Sequence, residues 1–99
     1  MEFVDFAGWP RCARLRDEQL ELIVPLAIGP RILHFARRGG DNLLYVRPST
    51  QGSFGQADWQ LFGGHRLWHA PEASPRSYVP DNAPIVCQAH DDGAGLHLE

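Results

Sequence analysis

The densest concentration of reactive side chains in this 99-residue chain is the run Gly63-Gly64-His65-Arg66-Leu67-Trp68-His69-Ala70-Pro71-Glu72. Imidazole and carboxylate groups exchange protons, guanidinium makes planar paired hydrogen bonds, and indole offers a flat apolar face. Together these side chains have the chemistry of a polar pocket wall. They name no reaction, and no residue is assigned a catalytic role. The glycine pair permits positive φ and lets another segment of chain, or a ligand, approach closely. Pro71 drives Ala70 toward an extended conformation and removes a donor, so a strand or helix should end there.

His65, His69 and Glu72 invite a metal reading. On a helix, residues four apart lie about 6 Å apart and can share an ion. Along a strand they share a face, but four rises of about 3.3 Å separate them by roughly 13 Å. The glycines and Pro71 argue against a helix, so no metal and no cofactor is expected. His65 is then either a pocket residue or a hydrogen-bonded structural histidine.

Four further residues join it as candidate ligand contacts. Arg66 lies in the same run. Arg31 follows Gly29-Pro30 on the strand face of Leu33 and Phe35, either facing a ligand or paired with a carboxylate at the rim. Glu72 is either an acid or an acceptor of backbone hydrogen bonds, and Asp81, between Pro80 and Asn82, equally suits an Asx turn. Trp68 falls on the opposite strand face from His65 and His69, which favours core packing.

The elements that must position these residues read as strands. After an aromatic lead (Phe3, Phe6, Trp9) closed by Pro10, a first strand is expected over residues 12–16, with Cys12, Arg14 and Arg16 on one side and Ala13 and Leu15 on the other. Asp17-Glu18 makes the turn. Residues 19–26 alternate and then become apolar on both faces, as a strand entering a two-sided core would. Gly29-Pro30 interrupts, and residues 31–36 resume the pattern. Residues 37–41 are a turn by composition, and 42–47 form another β-rich run stopped by Pro48. Residues 85–90 and 96–99 read as a final hairpin whose tip carries Asp91 and Asp92. No apolar i, i+3, i+4 pattern exceeds two turns. The class is all-β, built of antiparallel sheet.

Composition bounds the function. Hydrophobic content is 43% and charged content 21%, as in a globular chain. The net charge of −3 argues against a nucleic-acid partner bound through its phosphates. All nine basic residues are arginine. Cys12 and Cys87 are too few and too far apart for a disulfide framework, and read as reduced, packed thiols. No apolar run approaches the roughly 20 residues of a membrane span, and the first ten residues lack the pattern of a signal peptide. A cytoplasmic location is therefore expected, with no membrane partner.

The strand-like end at Leu96-His97-Leu98-Glu99, and strands apolar on both faces, make residues 1–99 the expected N-terminal portion of a larger β-sandwich. Self-association through open sheet edges would follow.

Residues 21–35, with Gly29-Pro30-Arg31-Ile32 at their centre, and the following Gly40-Asp41-Asn42-Leu43-Leu44 resemble the opening of the galactose mutarotase-like superfamily. The run Gly63 to Glu72, with Tyr78-Val79-Pro80-Asp81-Asn82 behind it, is similar to a bacterial family of that superfamily known as a domain of unknown function. The likeness covers nearly all of this chain but only about the first third of the family's domain. It implies a fragment of a β-supersandwich with a carbohydrate site on one concave sheet. Aldose 1-epimerases of the superfamily use a histidine as acid and a glutamate as base. Their first active-site histidine precedes the glycine pair, whereas His65 follows it, and their base lies beyond Glu99. The resemblance thus carries Arg31 and His65 over as sugar contacts and no residue as the base. A carbohydrate-binding or epimerase-like portion, not catalytic alone, is the leading expectation. The alternative is a non-catalytic sheet that works through self-association or a partner chain.

Overall fold

The computed structural model describes residues 1–53, 61–66, 84–85, 87–89 and 96–98. Its strands are β1 (Glu2–Phe6), β2 (Trp9–Arg16), β3 (Leu20–Val24), β4 (Arg31–Ile32), β5 (His34–Arg37), β6 (His65–Arg66), β7 (Cys87–Ala89) and β8 (Leu96–Leu98). Every ladder is antiparallel. They form a four-stranded sheet in the order β1-β2-β3-β5 and two-stranded sheets β4-β6 and β7-β8. The all-β architecture expected from the alternating pattern is the one observed. The only helical turn among the described residues is a 3₁₀ segment, Pro48–Thr50. No helix among them is long and apolar enough to cross a membrane.

The aromatic lead is itself a strand, contrary to the expected start at residue 12. β1 returns into β2 through Ala7 and Gly8, both at positive φ (50° and 86°), the sense of turn that matches strand twist in a two-residue hairpin. Pro10 does not break β2. Between the pairs Val4↔Cys12 and Phe6↔Trp9, β1 contributes Asp5 and β2 contributes both Pro10 and Arg11. The proline therefore occupies a bulge, where a missing N–H costs no ladder bond. Arg11 takes a left-handed φ of 52° there, and its N–H donates to Asp5 Oδ1 at 3.2 Å.

At the other end of β2, the expected turn at Asp17-Glu18 forms. Asp17 Oδ1 accepts from the N–H groups of Gln19 and Leu20 at 2.7 and 2.8 Å. These bonds hold its carboxyl below the usual range, Leu20 contributing most.

The expected strand over residues 31–36 divides at Leu33. Leu33 N–H still donates to Ile23 O at 2.9 Å, and β5 continues beside β3, while Arg31 and Ile32 turn away to pair with β6. The run 42–47 is no strand. Among the described residues its ladder contact is the isolated bridge Val46↔Gly63. Asn42 explains the difference: its Oδ1 accepts from Phe35 N–H (3.1 Å) and Leu44 N–H (3.0 Å), and its Nδ2 donates to Leu33 O (2.8 Å). The amide side chain, together with Leu43 N–H donating to Phe35 O at 2.9 Å, thus occupies the outer edge of β5 in place of a neighbouring strand. The last two strands pair as expected, with Cys87 opposite Leu98 and Ala89 opposite Leu96; the expected tip with Asp91 and Asp92 lies outside the described residues.

Cross-strand partners share a face, so the registers assign the two sides of the main sheet. Cys12, Ile23 and Ala36 face inward and are buried. With Trp9, Ile28, Leu33 and Phe62 they form the core, flanked by Val4, Phe6, Ala27 and Val46. Trp9 anchors it: the ring is fully buried, meets Phe62 edge-on at 5.9 Å, and donates from Nε1 to Ser53 O at 2.5 Å. The other face carries Phe3, Ala13, Leu15, Leu20, Leu22, Val24 and Phe35, of which Ala13 and Val24 are buried as well. Phe3, Leu20 and Phe35 on it remain 44%, 44% and 38% exposed.

Candidate functional site

Three of the five sequence-selected residues meet at the ladder of β4 and β6. Arg31 pairs with Arg66, and Ile32 with His65. Because side chains alternate along a strand, the two arginines lie on one face of the ladder and His65 lies with Ile32 on the other. His65 is exposed, Arg66 half-buried and Arg31 buried, at 3%. Glu72 and Asp81 lie outside the described residues, as do Trp68 and His69.

The glycine pair makes this meeting feasible. Gly63 and Gly64 have φ of 98° and 73°. A Cβ on Gly63 would fall within 3.0 Å of Tyr45 O, and one on Gly64 within 3.0 Å of Ile32 O. Gly64 N–H donates to Tyr45 O at 2.6 Å, and Arg47 N–H to Phe62 O at 2.9 Å. The close approach expected of these glycines is therefore made by the chain's own backbone. It lets residues 61–66 pass between the 45–47 segment and β4, which sets the register of His65 and Arg66.

Arg31 is fixed in place. Its Nε donates to Ile28 O at 3.2 Å, and its guanidinium carbon stands 4.9 Å from the centroid of the Phe62 ring. A guanidinium over an aromatic face is attracted by the ring quadrupole, more strongly when desolvated. Both Arg31 and Arg66 make further interactions. Among the described residues, no group of three His, Cys, Asp or Glu side chains is placed to hold a metal ion.

A second polar cluster, not selected from the sequence, occupies the inner face of the main sheet. His34 Nε2 lies 2.9 Å from Glu21 Oε1, the two side chains being 9% and 12% exposed. An ionised carboxylate only accepts, so Nε2 carries the proton in that state. The imidazole stands edge-on to Phe6 at 5.4 Å, and its Nδ1 is buried without a hydrogen-bond partner among the described residues. Near the opposite edge of this face, Glu2 Oε1 meets Arg14 Nη2 at 2.8 Å and Arg16 Nε at 3.3 Å. The hydrogen bond from Arg14 is the main cause holding the Glu2 carboxyl below its usual range. The signal for the His34–Glu21 pair was the alternation itself, since Glu21 shares parity with buried Ile23, and His34 with buried Ala36.

Both cysteines are free thiols. Cys12 is fully buried, and desolvation is the leading cause pushing its pKa up to about 11. Asp5 adds to the rise, and a backbone hydrogen bond from Phe6 opposes it. Burial also raises Cys87.

Comparison with protein-family models, with curated proteins and with solved structures finds no match to this chain.

Proposed function

We propose that the β4–β6 ladder forms part of a carbohydrate-binding surface. The observation that carries this reading is the pairing of Arg31–Ile32 with His65–Arg66, which gathers polar groups from distant parts of the sequence onto one short ladder. Arg31, buried and held by Phe62 and Ile28 O, fixes the ladder that carries Arg66, and preorganisation lowers the cost of ordering on binding. Arg66 beside it is the more accessible guanidinium of the pair, suited to the paired hydroxyls of a sugar ring. His65 serves the opposite face, so one ring cannot lie between His65 and the arginines.

The same separation supports binding without turnover. Mutarotation needs an acid and a base on opposite sides of one ring, each within hydrogen-bond reach. The described part of the ladder supplies no such pair. The test is an NMR titration with galactose and glucose, together with polarimetry on the freshly dissolved α-anomers. Saturable shifts at residues 31, 32, 65 and 66, lost in Arg66→Gln, with mutarotation at the buffer rate, are expected. Absence of saturable shifts for either sugar overturns the binding reading. Accelerated mutarotation, abolished by His65→Ala, overturns the non-catalytic part.

A second reading rests on a different observation, the exposed Phe3, Leu20 and Phe35 on the outer face of the main sheet. Apolar sheet faces pack on one another at about 10 Å, so this face supports association between copies of the chain. Sedimentation velocity tests it. Concentration-dependent dimers dispersed by Phe35→Glu favour association, and a monomer at all concentrations removes it.

A further inference from the structure

We draw no further inference here: the strongest candidate, the buried His34–Glu21 pair on the inner face of the four-stranded sheet, leaves His34 Nδ1 without a hydrogen-bond partner among the described residues, but nothing in the structure shows what that nitrogen would meet.

Discussion

Gly64 donates its backbone N–H to Tyr45 O at 2.6 Å, and the space beyond its Cα is filled by the carbonyl of Ile32. The glycine is locked between two segments of backbone that belong to different parts of the fold. Gly63 beside it is confined in the same way by Tyr45 and Val46.

Gly63→Ala and Gly64→Ala should therefore each cost about 3 kcal/mol or more. A left-handed φ alone costs an L-residue roughly 1–2 kcal/mol, and backbone overlap adds to it. Gly39 supplies the control, because its φ is 77° but nothing lies within 4 Å of an added Cβ. Gly39→Ala should lose about 1–2 kcal/mol. Urea unfolding of the three variants measures the difference. Equal losses at positions 39 and 64 would contradict the close approach.

Asn42 should behave as a substitute strand for β5. Asn42→Ala removes its three side-chain hydrogen bonds and should cost about 1–3 kcal/mol, the penalty for leaving backbone groups unsatisfied. Amide exchange at Phe35 and Leu44 should accelerate. Asn42→Asp keeps the acceptor for both amides but sets a carboxylate oxygen against Leu33 O, so those amides should stay better protected than in the alanine variant. Rapid exchange in the aspartate variant would show that the edge is held some other way.

The His34–Glu21 pair should show strong coupling. Removing Glu21 leaves a buried imidazole without its partner, at about 1–3 kcal/mol, whereas replacing both with apolar groups is often neutral. Glu21→Leu alone should be markedly destabilising, and Glu21→Leu with His34→Phe should recover most of the loss. A double variant as unstable as the sum of the singles would mean that the two side chains act independently.

Cys12 should make the fold sensitive to alkali. Its thiol stays protonated in the native state up to about 11, whereas in the unfolded chain it ionises near its ordinary value of about 8.5. A raised folded pKa gives stability that is complete below the unfolded value. That stability is lost as pH rises toward the folded value, by roughly 3 kcal/mol over the window. Denaturant midpoints at pH 8 and pH 11 should fall less in Cys12→Ala than in the parent. Identical slopes would sink the assignment. At neutral pH a thiol reagent should label half-buried Cys87 before Cys12.

The exposed outer face should bind a hydrophobic dye, since contiguous apolar patches mark interaction surfaces. Leu20→Lys and Phe35→Thr should reduce dye fluorescence, and with the two side chains 44% and 38% exposed each should cost about 1–2 kcal/mol. Undiminished fluorescence would place the dye elsewhere.

The sequence alone determined the class of this fold and its local turns. Alternation over residues 12–16 and 19–26 placed Cys12 and Ala13 on opposite faces, and the main sheet keeps that assignment. The turn at Asp17 was legible because it depends on residues within a few positions of one another, and the alternating apolar pattern marked the last two strands as a pair. β1 was missed because Pro10 read as a stop, and only the register with Asp5 shows that it sits in a bulge. Residues 42–47 misled in the opposite sense. Their β-rich composition expresses a propensity, but the Asn42 side chain and the Leu43 N–H satisfy the edge of β5, and among the described residues the segment keeps a single isolated bridge.

Of the candidate site, the sequence supplied the identities Arg31, His65 and Arg66. Tertiary structure decided that β4 leaves β3 at Leu33 to join β6, that the arginines share a face, and that His65 does not. The physical reason is that strand pairing is a contact between segments distant in the chain. No local period encodes which segment will be the neighbour. Here two glycines packed against foreign carbonyls, rather than the reactive residues themselves, set where the ladder forms.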